Sequence, residues 1–451
     1  MHFYLLACTQ PATSLSYEGA ERVPIALSID DADYVLGKTA FSVIGDIDVN
    51  GDGYPDVFMA EQEEDALVYT WQGTADGFKE DDADVYLHLG YEEIAREAIP
   101  IAAADVNGDG FDDVFATDHD TQQVFGYPGG PDGPAEPATW MLPAPSDGVA
   151  SIGNAGDVNR DGFEDLVVGM PEYGDSPSRV VIYLGSVDGP RADGSATELH
   201  ARDNPGDALD VFGFVVDGAG DVNSDGWPDI IVGGNSGYTQ VFYGSEAGFG
   251  DDATTVLETV GMTWSVAGVG DTNGDGYDDV LIGTPRPDFP RDCGPDDCRG
   301  EARLFLGGPE GVPAAPSAAR TRLDVEGLYG YAVAPAGDIN ADGMADVIAG
   351  VSSEPEIFLG TPDGIAAEPL RRPFRGPGGW AAGDIDGDGL GDVVMSGGYV
   401  YLATTLLADL APAPDTGGSH ATPGCATAAG SGSGALLILA ALVCRCSRRR
   451  G

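Results

Sequence analysis

Asp48-Val49-Asn50-Gly51-Asp52-Gly53-Tyr54-Pro55-Asp56 decides how this chain is read. Oxygen-bearing side chains stand at positions 1, 3, 5 and 9 of the nine, and glycine stands at position 6. In a tightly turning loop, alternate residues point inward at one centre, and the glycine permits the sharp turn. Carboxylates, an amide oxygen and the backbone carbonyl of position 7 then form a cage of hard oxygen donors, the set that suits Ca²⁺.

The stretch recurs six more times, as Asp105, Asn107, Asp109 and Asp113; Asp157, Asn159, Asp161 and Asp165; Asp221, Asn223, Asp225 and Asp229; Asp271, Asn273, Asp275 and Asp279; Asp338, Asn340, Asp342 and Asp346; and Asp384, Asp386, Asp388 and Asp392. Its starts lie 57, 52, 64, 50, 67 and 46 residues apart. A period on this scale marks a solenoid or a propeller. Asp-Gly and Asn-Gly are ordinary turn formers, so one copy alone would carry little. A plain turn has no need of Asp at both positions 1 and 9, and every copy has both. The first half of the motif matches the opening of an EF-hand loop. The second half does not: Asp at position 9 closes it, no Glu stands at position 12, and strand-like residues follow where a helix would.

Each loop sits in a repeating frame. A short apolar run ending in Gly precedes it, as in Phe212 to Val216 leading to Gly220. A β-rich run follows, such as Asp229-Ile230-Ile231-Val232-Gly233, and a third run closes on Gly, such as Leu304-Phe305-Leu306-Gly307. Short β-branched and aromatic runs bounded by Gly, Pro and Asp read as strands. Three of them and a less regular fourth in one period make a four-stranded blade. The expected fold is therefore all-β: a seven-bladed β-propeller of four-stranded antiparallel blades over residues 25–410. The seventh repeat supplies strands near 379–383, 392–396 and 399–403 but no fourth. Residues near 25–30 are expected to supply it and close the ring, leaving no unpaired end.

Phe212-Gly213, Tyr329-Gly330, the Gly-Asp-Val-Asn-x-Asp-Gly core and Val167 to Pro171 resemble the FG-GAP repeat of integrin α-subunit heads and many bacterial surface proteins. The resemblance covers roughly residues 25–405. It implies a β-propeller with Ca²⁺ in the loop between the first two strands of a blade, up to seven ions here, and adhesion or recognition at the cell surface. The chain departs from integrin heads in having metal-type loops in every repeat, and Ala116-Thr117-Asp118 stands where the family has Gly-Ala-Pro. Integrin ligand chemistry is not carried over. The ions are expected to be chiefly structural, since clustered carboxylates repel one another in an empty loop.

The expected partner is a protein or a polysaccharide. It would meet the face opposite the loops, where segments 60–66, 117–123, 170–179, 233–240, 284–302 and 350–355 vary in length. The rival reading is an extracellular polysaccharide lyase or hydrolase, or its non-catalytic subunit. No Gly-x-Ser-x-Gly, His-Glu-x-x-His or phosphate-binding Gly-Lys-Ser/Thr motif supports catalysis, and carboxylates are too abundant for their spacing to nominate a glycosidase site. His119 reads as a loop residue. Tyr54, Phe111, Phe163, Trp227 and Tyr277, all at loop position 7, read as packing between blades rather than as platforms for sugars.

The formal charge is −54, from 75 acidic and 21 basic residues. Seven divalent ions would bring it only to about −40, a balance that excludes a nucleic-acid backbone and anionic lipid as partners and favours a soluble, monomeric ring. Leu5-Leu6-Ala7-Cys8 resembles a lipobox without its basic and apolar lead-in, which points to a start upstream of Met1. A lipidated Cys8 and a chance cysteine both remain open, and residues 1–24 read as signal remnant and leader. Cys293 and Cys298 bracket Gly-Pro-Asp-Asp in the longest insertion. In an exported protein they suit a local disulfide, with two free thiols as the alternative. Residues 411–434 form a linker rich in Ala, Pro, Gly, Ser and Thr, and 435–451 an apolar and Arg-rich tail. Cys425 with that tail resembles the sorting tail of myxobacterial surface proteins, which implies cleavage and anchoring at the Cys. A simple tail anchor is the other reading. Membrane contact is expected only through these termini.

Overall fold

The structure is a computed structural model that describes residues 25–26, 32–36, 42–61, 67–74, 78, 85–88, 100–118, 123–143, 149–171, 178–192, 197–200, 211–234, 238–250, 254–259, 261–285, 300–321, 329–351, 354–372, 380–395 and 399–407. Cys8, Cys293, Cys298, Cys425, the linker and the tail lie outside the described residues, as do His119 and most of the variable segments of the opposite face. By contacts the chain divides into Met1–Asp409 and Leu410–Gly451, and all that follows concerns the first unit.

Each repeat opens on the strand nearest the ring axis and then meanders outward. In the third repeat Ser151–Gly156 pairs with Asp165–Met170, that with Arg179–Tyr183, and that with Thr197–Leu199, all antiparallel. The second strand of this sheet is buried along its whole length, as a strand packed on both faces by neighbouring sheets must be. Five of the first strands carry a register shift just before the carboxylate loop. Four of these bulges are set by glycines at positive φ: Gly156, Gly220, Gly270 and Gly337. An extra residue there bends the chain off the sheet and into the loop.

The expectation of seven four-stranded antiparallel blades is corrected. Among the described residues the structure has six such blades, not seven. The sheet of the sixth repeat has five strands, because Ile25–Ala26 adds to its outer edge, parallel to Arg371–Arg372. Closure is also achieved by other residues than expected. Tyr34–Val35, rather than residues 25–30, pairs antiparallel with Tyr399–Val400 as the outer strand of the last sheet. The two-residue strands at 25–26 and 34–35 are too short to carry a period-2 pattern, so composition gave no means of telling them apart.

Hydrophobic cores lie between successive sheets. Phe58, Val68 and Leu87 of the first sheet pack against Val114, Ala116 and Tyr127 of the second. Val394 and Val400 of the last sheet pack with Val57, Met59 and Trp71 of the first, so the first and last sheets share one core. The join is reinforced at Asp33. Its carboxylate accepts the Leu402 N–H and the Thr405 hydroxyl, both at 2.8 Å, at the start of the short helix Ala403–Leu407. Among the described residues no helix is long and apolar enough to cross a membrane.

Candidate metal centre

Position 1 is the hub of each loop. Asp48 Oδ1 accepts the N–H groups of Gly51 and Asp52 at 2.7 and 3.1 Å, and its Oδ2 accepts Gly53 N–H at 2.8 Å. The Asn50 amide oxygen accepts Asp52 N–H at 2.9 Å, and Asp52 accepts Tyr54 N–H at 3.0 Å. Equivalent bonds hold the loops at Asp105, Asp157, Asp221, Asp271 and Asp338. Positions 4 and 6 adopt positive φ in all seven copies, including the non-glycine residues Arg160, Ser224 and Ala341 at position 4. The chain is wound around one centre, with positions 1, 3 and 5 already turned to it.

Position 9 differs from the other three oxygen positions. Asp56, Asp113, Asp165, Asp229, Asp279, Asp346 and Asp392 are fully buried. One oxygen of each accepts the N–H of position 2 of its own loop. The other accepts an N–H just beyond the third strand. In the fourth repeat these bonds are Val222 N–H at 3.0 Å and Gly244 N–H at 2.8 Å, and in the last they are Ile385 N–H at 2.9 Å and Ala403 N–H at 2.7 Å. Burial pushes these carboxyls up, to about 7 for Asp56, Asp113, Asp165, Asp229 and Asp392, about 6 for Asp279 and about 8 for Asp346, against the pull of the N–H bonds. Position 9 is thus a peg joining the loop to the far end of its sheet. In five copies each of its oxygens has a second lone pair left for a cation; Asp279 Oδ2 also accepts the Thr272 hydroxyl, and Asp113 Oδ1 also accepts the Asn107 amide at 3.4 Å.

The residues present fit a divalent ion, and the last loop shows it most directly. Asp384, Asp386 and Asp388 bring one carboxylate oxygen each to within 4.8 Å of one another. Asp384 Oδ1 is buried and has no hydrogen-bond partner among the described residues, whereas the matching oxygen of Asp48 has two. A buried, unpaired carboxylate oxygen facing two more acids is costly unless a cation joins them. The Asp386 carboxyl is raised by burial and then by Asp388. In the other six loops position 3 is Asn, so positions 1 and 5 supply two carboxylates beside an amide. In the third loop Arg191 Nη2 stands 3.3 Å from Asp161 Oδ2 and already supplies positive charge.

Successive loops are joined. The position-7 ring of one repeat covers position 4 of the loop before it: Phe111 over Gly51, Phe163 over Gly108, and Tyr54 over Gly387 across the ring closure. The Arg160 guanidinium stacks 4.2 Å from the Trp227 ring. Interblade packing is therefore the role of Tyr54, Phe111, Phe163 and Trp227. Sequence reasoning missed the next position. Asp112, Glu164 and Asp278, at position 8, each accept the position-1 N–H of the preceding loop. Acids at position 8 in three repeats and Pro in two were visible signals, but their targets lie 57 to 64 residues away.

At the opposite end of the first strands lies a cavity of about 370 Å³, lined by residues such as Ser42, Ile101, Ser151, Asp217 and Val333. Asp217 is its one charged lining residue among the described residues. Its carboxylate bonds Gly218 N–H at 3.0 Å, and confinement between the first strands raises it to about 7. Beside the cavity, Trp264 is 36 % exposed and lies 5.5 Å from Phe214 and 5.4 Å from Tyr331, ring centre to ring centre.

Comparison with known proteins gives the following. The signature of the FG-GAP-like repeat matches residues 48–116, 105–168, 221–282 and 338–395. Integrin alpha-6 of Gallus gallus is 33 % identical over 109 residues, 23 % of this chain and 10 % of that protein. Integrin alpha-IIb of Mus musculus is 32 % identical over 150 residues, 30 % and 14 % of the two. Integrin alpha-4 of Xenopus laevis is 27 % identical over 212 residues, 44 % and 19 %. The matched segments thus span at most 19 % of the length of these relatives. A solved structure titled BBS1N in complex with ARL6DN aligns over 81 % of this chain and 92 % of that one, with a TM-score of 0.48 at 10 % identity.

Proposed function

The chain belongs to the FG-GAP-like repeat family, and from that premise we propose that it is a calcium-stabilised binding scaffold of the adhesion type, working at the cell surface or outside the cell. The observation that carries the reading is the last loop, where a buried Asp384 oxygen, unpartnered among the described residues, stands with two further carboxylates. The family match and the integrin relatives support a divalent ion and an extracellular setting. Asp48, Asn50, Asp52 and Asp56 with their six counterpart sets are the ligand residues of this reading, up to seven ions in all. The partner, a protein or a polysaccharide, meets the end of the ring away from the loops, where the aromatic row and the cavity lie. With a formal charge of −54, a neutral or basic partner is favoured over an anionic one.

The test is thermal unfolding of the full chain with 2 mM Ca²⁺ and with EDTA. A site with a Kd of about 10⁻⁴–10⁻³ M adds roughly 0.7–1.8 kcal/mol at that concentration. Several filled sites then raise the melting temperature by many degrees. An unchanged melting temperature refutes the calcium reading. A glycan-array and cell-binding screen run in both buffers tests the adhesion reading, which falls if no surface or glycan is bound in Ca²⁺.

A further inference from the structure

The nine-residue ligand pattern has no use for position 8, yet three acids there reach into a neighbouring loop. Asp112 Oδ2 accepts Asp48 N–H at 2.7 Å, Glu164 Oε2 accepts Asp105 N–H at 3.1 Å, and Asp278 Oδ2 accepts Asp221 N–H at 2.8 Å. The same three residues donate their own N–H groups to the carbonyls of Asp48, Asp105 and Asp221, at 3.1, 3.1 and 3.4 Å. One residue of each following sheet therefore grips both backbone groups of position 1, the hub on which its loop is wound. Glu164 is itself held by the Asn154 amide at 2.9 Å.

The other joints are weaker in a graded way. Ala345 and Gly391 keep the backbone half, to Asp271 at 2.8 Å and Asp338 at 3.1 Å, but bring no side-chain acceptor. Pro55 and Pro228 have neither an N–H nor an acceptor, so the grip is missing between the last loop and the first, and between the third and the fourth.

We propose that Asp112, Glu164 and Asp278 are positioning residues for the cation loops of the preceding repeats, so that loops one to three and loops four to seven fill as two coupled groups, parted at Pro228 and Pro55. The proposal rests on the reading of the loops as divalent-cation sites. A cation drawn into one loop fixes position 1. The grip passes that constraint to position 8 of the next repeat, which adjoins the position-9 peg of its own loop. Coupling of this kind is reciprocal between sites.

The test is calorimetric titration of the full chain with CaCl₂, comparing the parent with Asp112→Ala, Asp112→Asn and Asp278→Ala, alongside melting in EDTA. Asp112→Ala is expected to weaken no more than three ions, by about 5- to 10-fold, corresponding to about 1 kcal/mol or slightly more, and to leave the rest at parental affinity. Asp278→Ala is expected to do the reverse, weakening only the second group. Asp112→Asn retains an oxygen acceptor for Asp48 N–H and is expected to stay within about 2-fold of the parent. If the parent binds Ca²⁺ and both alanine variants bind it with unchanged affinities, the positioning role is refuted while the cation reading stands. Uniform weakening of all sites, or an asparagine variant as weak as the alanine one, also refutes it. If the parent binds no Ca²⁺, the cation reading fails and takes the proposal with it. Should Asp112→Ala fail to fold, Asp278→Ala alone decides, through the group it weakens.

Discussion

Asp229→Ala separates the two roles folded into position 9. The Asp229 side chain is fully buried and accepts two buried N–H groups, from Val222 at 3.0 Å and Gly244 at 2.8 Å. Alanine leaves both unpaired, and each buried unpaired donor costs about 1–3 kcal/mol. The expected loss is therefore about 2–6 kcal/mol with no cation present. Burial pushes the Asp229 carboxyl up to about 7, so the measurement is made at pH 6. There the group is largely protonated, and its removal relieves little buried charge. Asp225→Ala, at exposed position 5, is the companion. Among the described residues Asp225 accepts only Trp227 N–H, at 2.9 Å, and a single exposed bond is worth about 1 kcal/mol or less. The assay is equilibrium urea unfolding followed by tryptophan fluorescence, in EDTA and in Ca²⁺. In EDTA, Asp229→Ala is expected to unfold well before Asp225→Ala. Adding Ca²⁺ is expected to stabilise the Asp225 variant less than the parent. If Asp229→Ala lies within about 0.5 kcal/mol of the parent in EDTA, below the cost of even one orphaned donor, the peg does not exist as described.

Asp33→Ala removes the acceptor of Leu402 N–H and the Thr405 hydroxyl and so loosens the closure of the last sheet. A loss of about 1–2 kcal/mol, the same with and without Ca²⁺, is expected in the same unfolding assay. Asp217 holds its proton more tightly in the folded chain, at about 7, than at the ordinary value of 3.8. Its contribution to stability therefore falls as pH rises from about 4 to about 7 and is flat above. Asp217→Asn is expected to match the parent below about pH 4, to pull ahead of it as pH rises, and to exceed it at pH 8 by roughly 1–3 kcal/mol, reduced by water in the cavity. Equal stability of the two at pH 8 would show that the cavity does not disfavour the charge. Ala341 sits at a φ of 57°, so Ala341→Gly is expected to gain up to about 1 kcal/mol. Gly51→Ala is expected to lose more than that, because its Cβ would lie 2.6 Å from Phe111 Cε1. Melting temperatures of the two variants check the signs.

The sequence by itself determined whatever is local and repeated. Asp, Asn and Gly at fixed offsets specify the loop, since the bonds of position 1 run only three to five residues forward. Apolar runs bounded by Gly specify the strands, and seven copies of the unit specify a propeller. What depends on distant partners was decided by the tertiary structure. Residues 25–26 and 34–35 carry no pattern of their own, and only their neighbours, Arg371–Arg372 and Tyr399–Val400, assign them to different sheets. That assignment makes one sheet five-stranded and leaves six four-stranded blades. The acids at position 8 look like surface charge until the ring brings Asp112 within 2.7 Å of Asp48 N–H. Position 9 was legible as a candidate ligand but not as a peg, because its second bond, to residues such as Gly73 or Gly307, forms only once the third strand has returned to the loop. Local chemistry recurs with the period and can be read along the chain, whereas closure and coupling arise where the period ends or meets its neighbour in space.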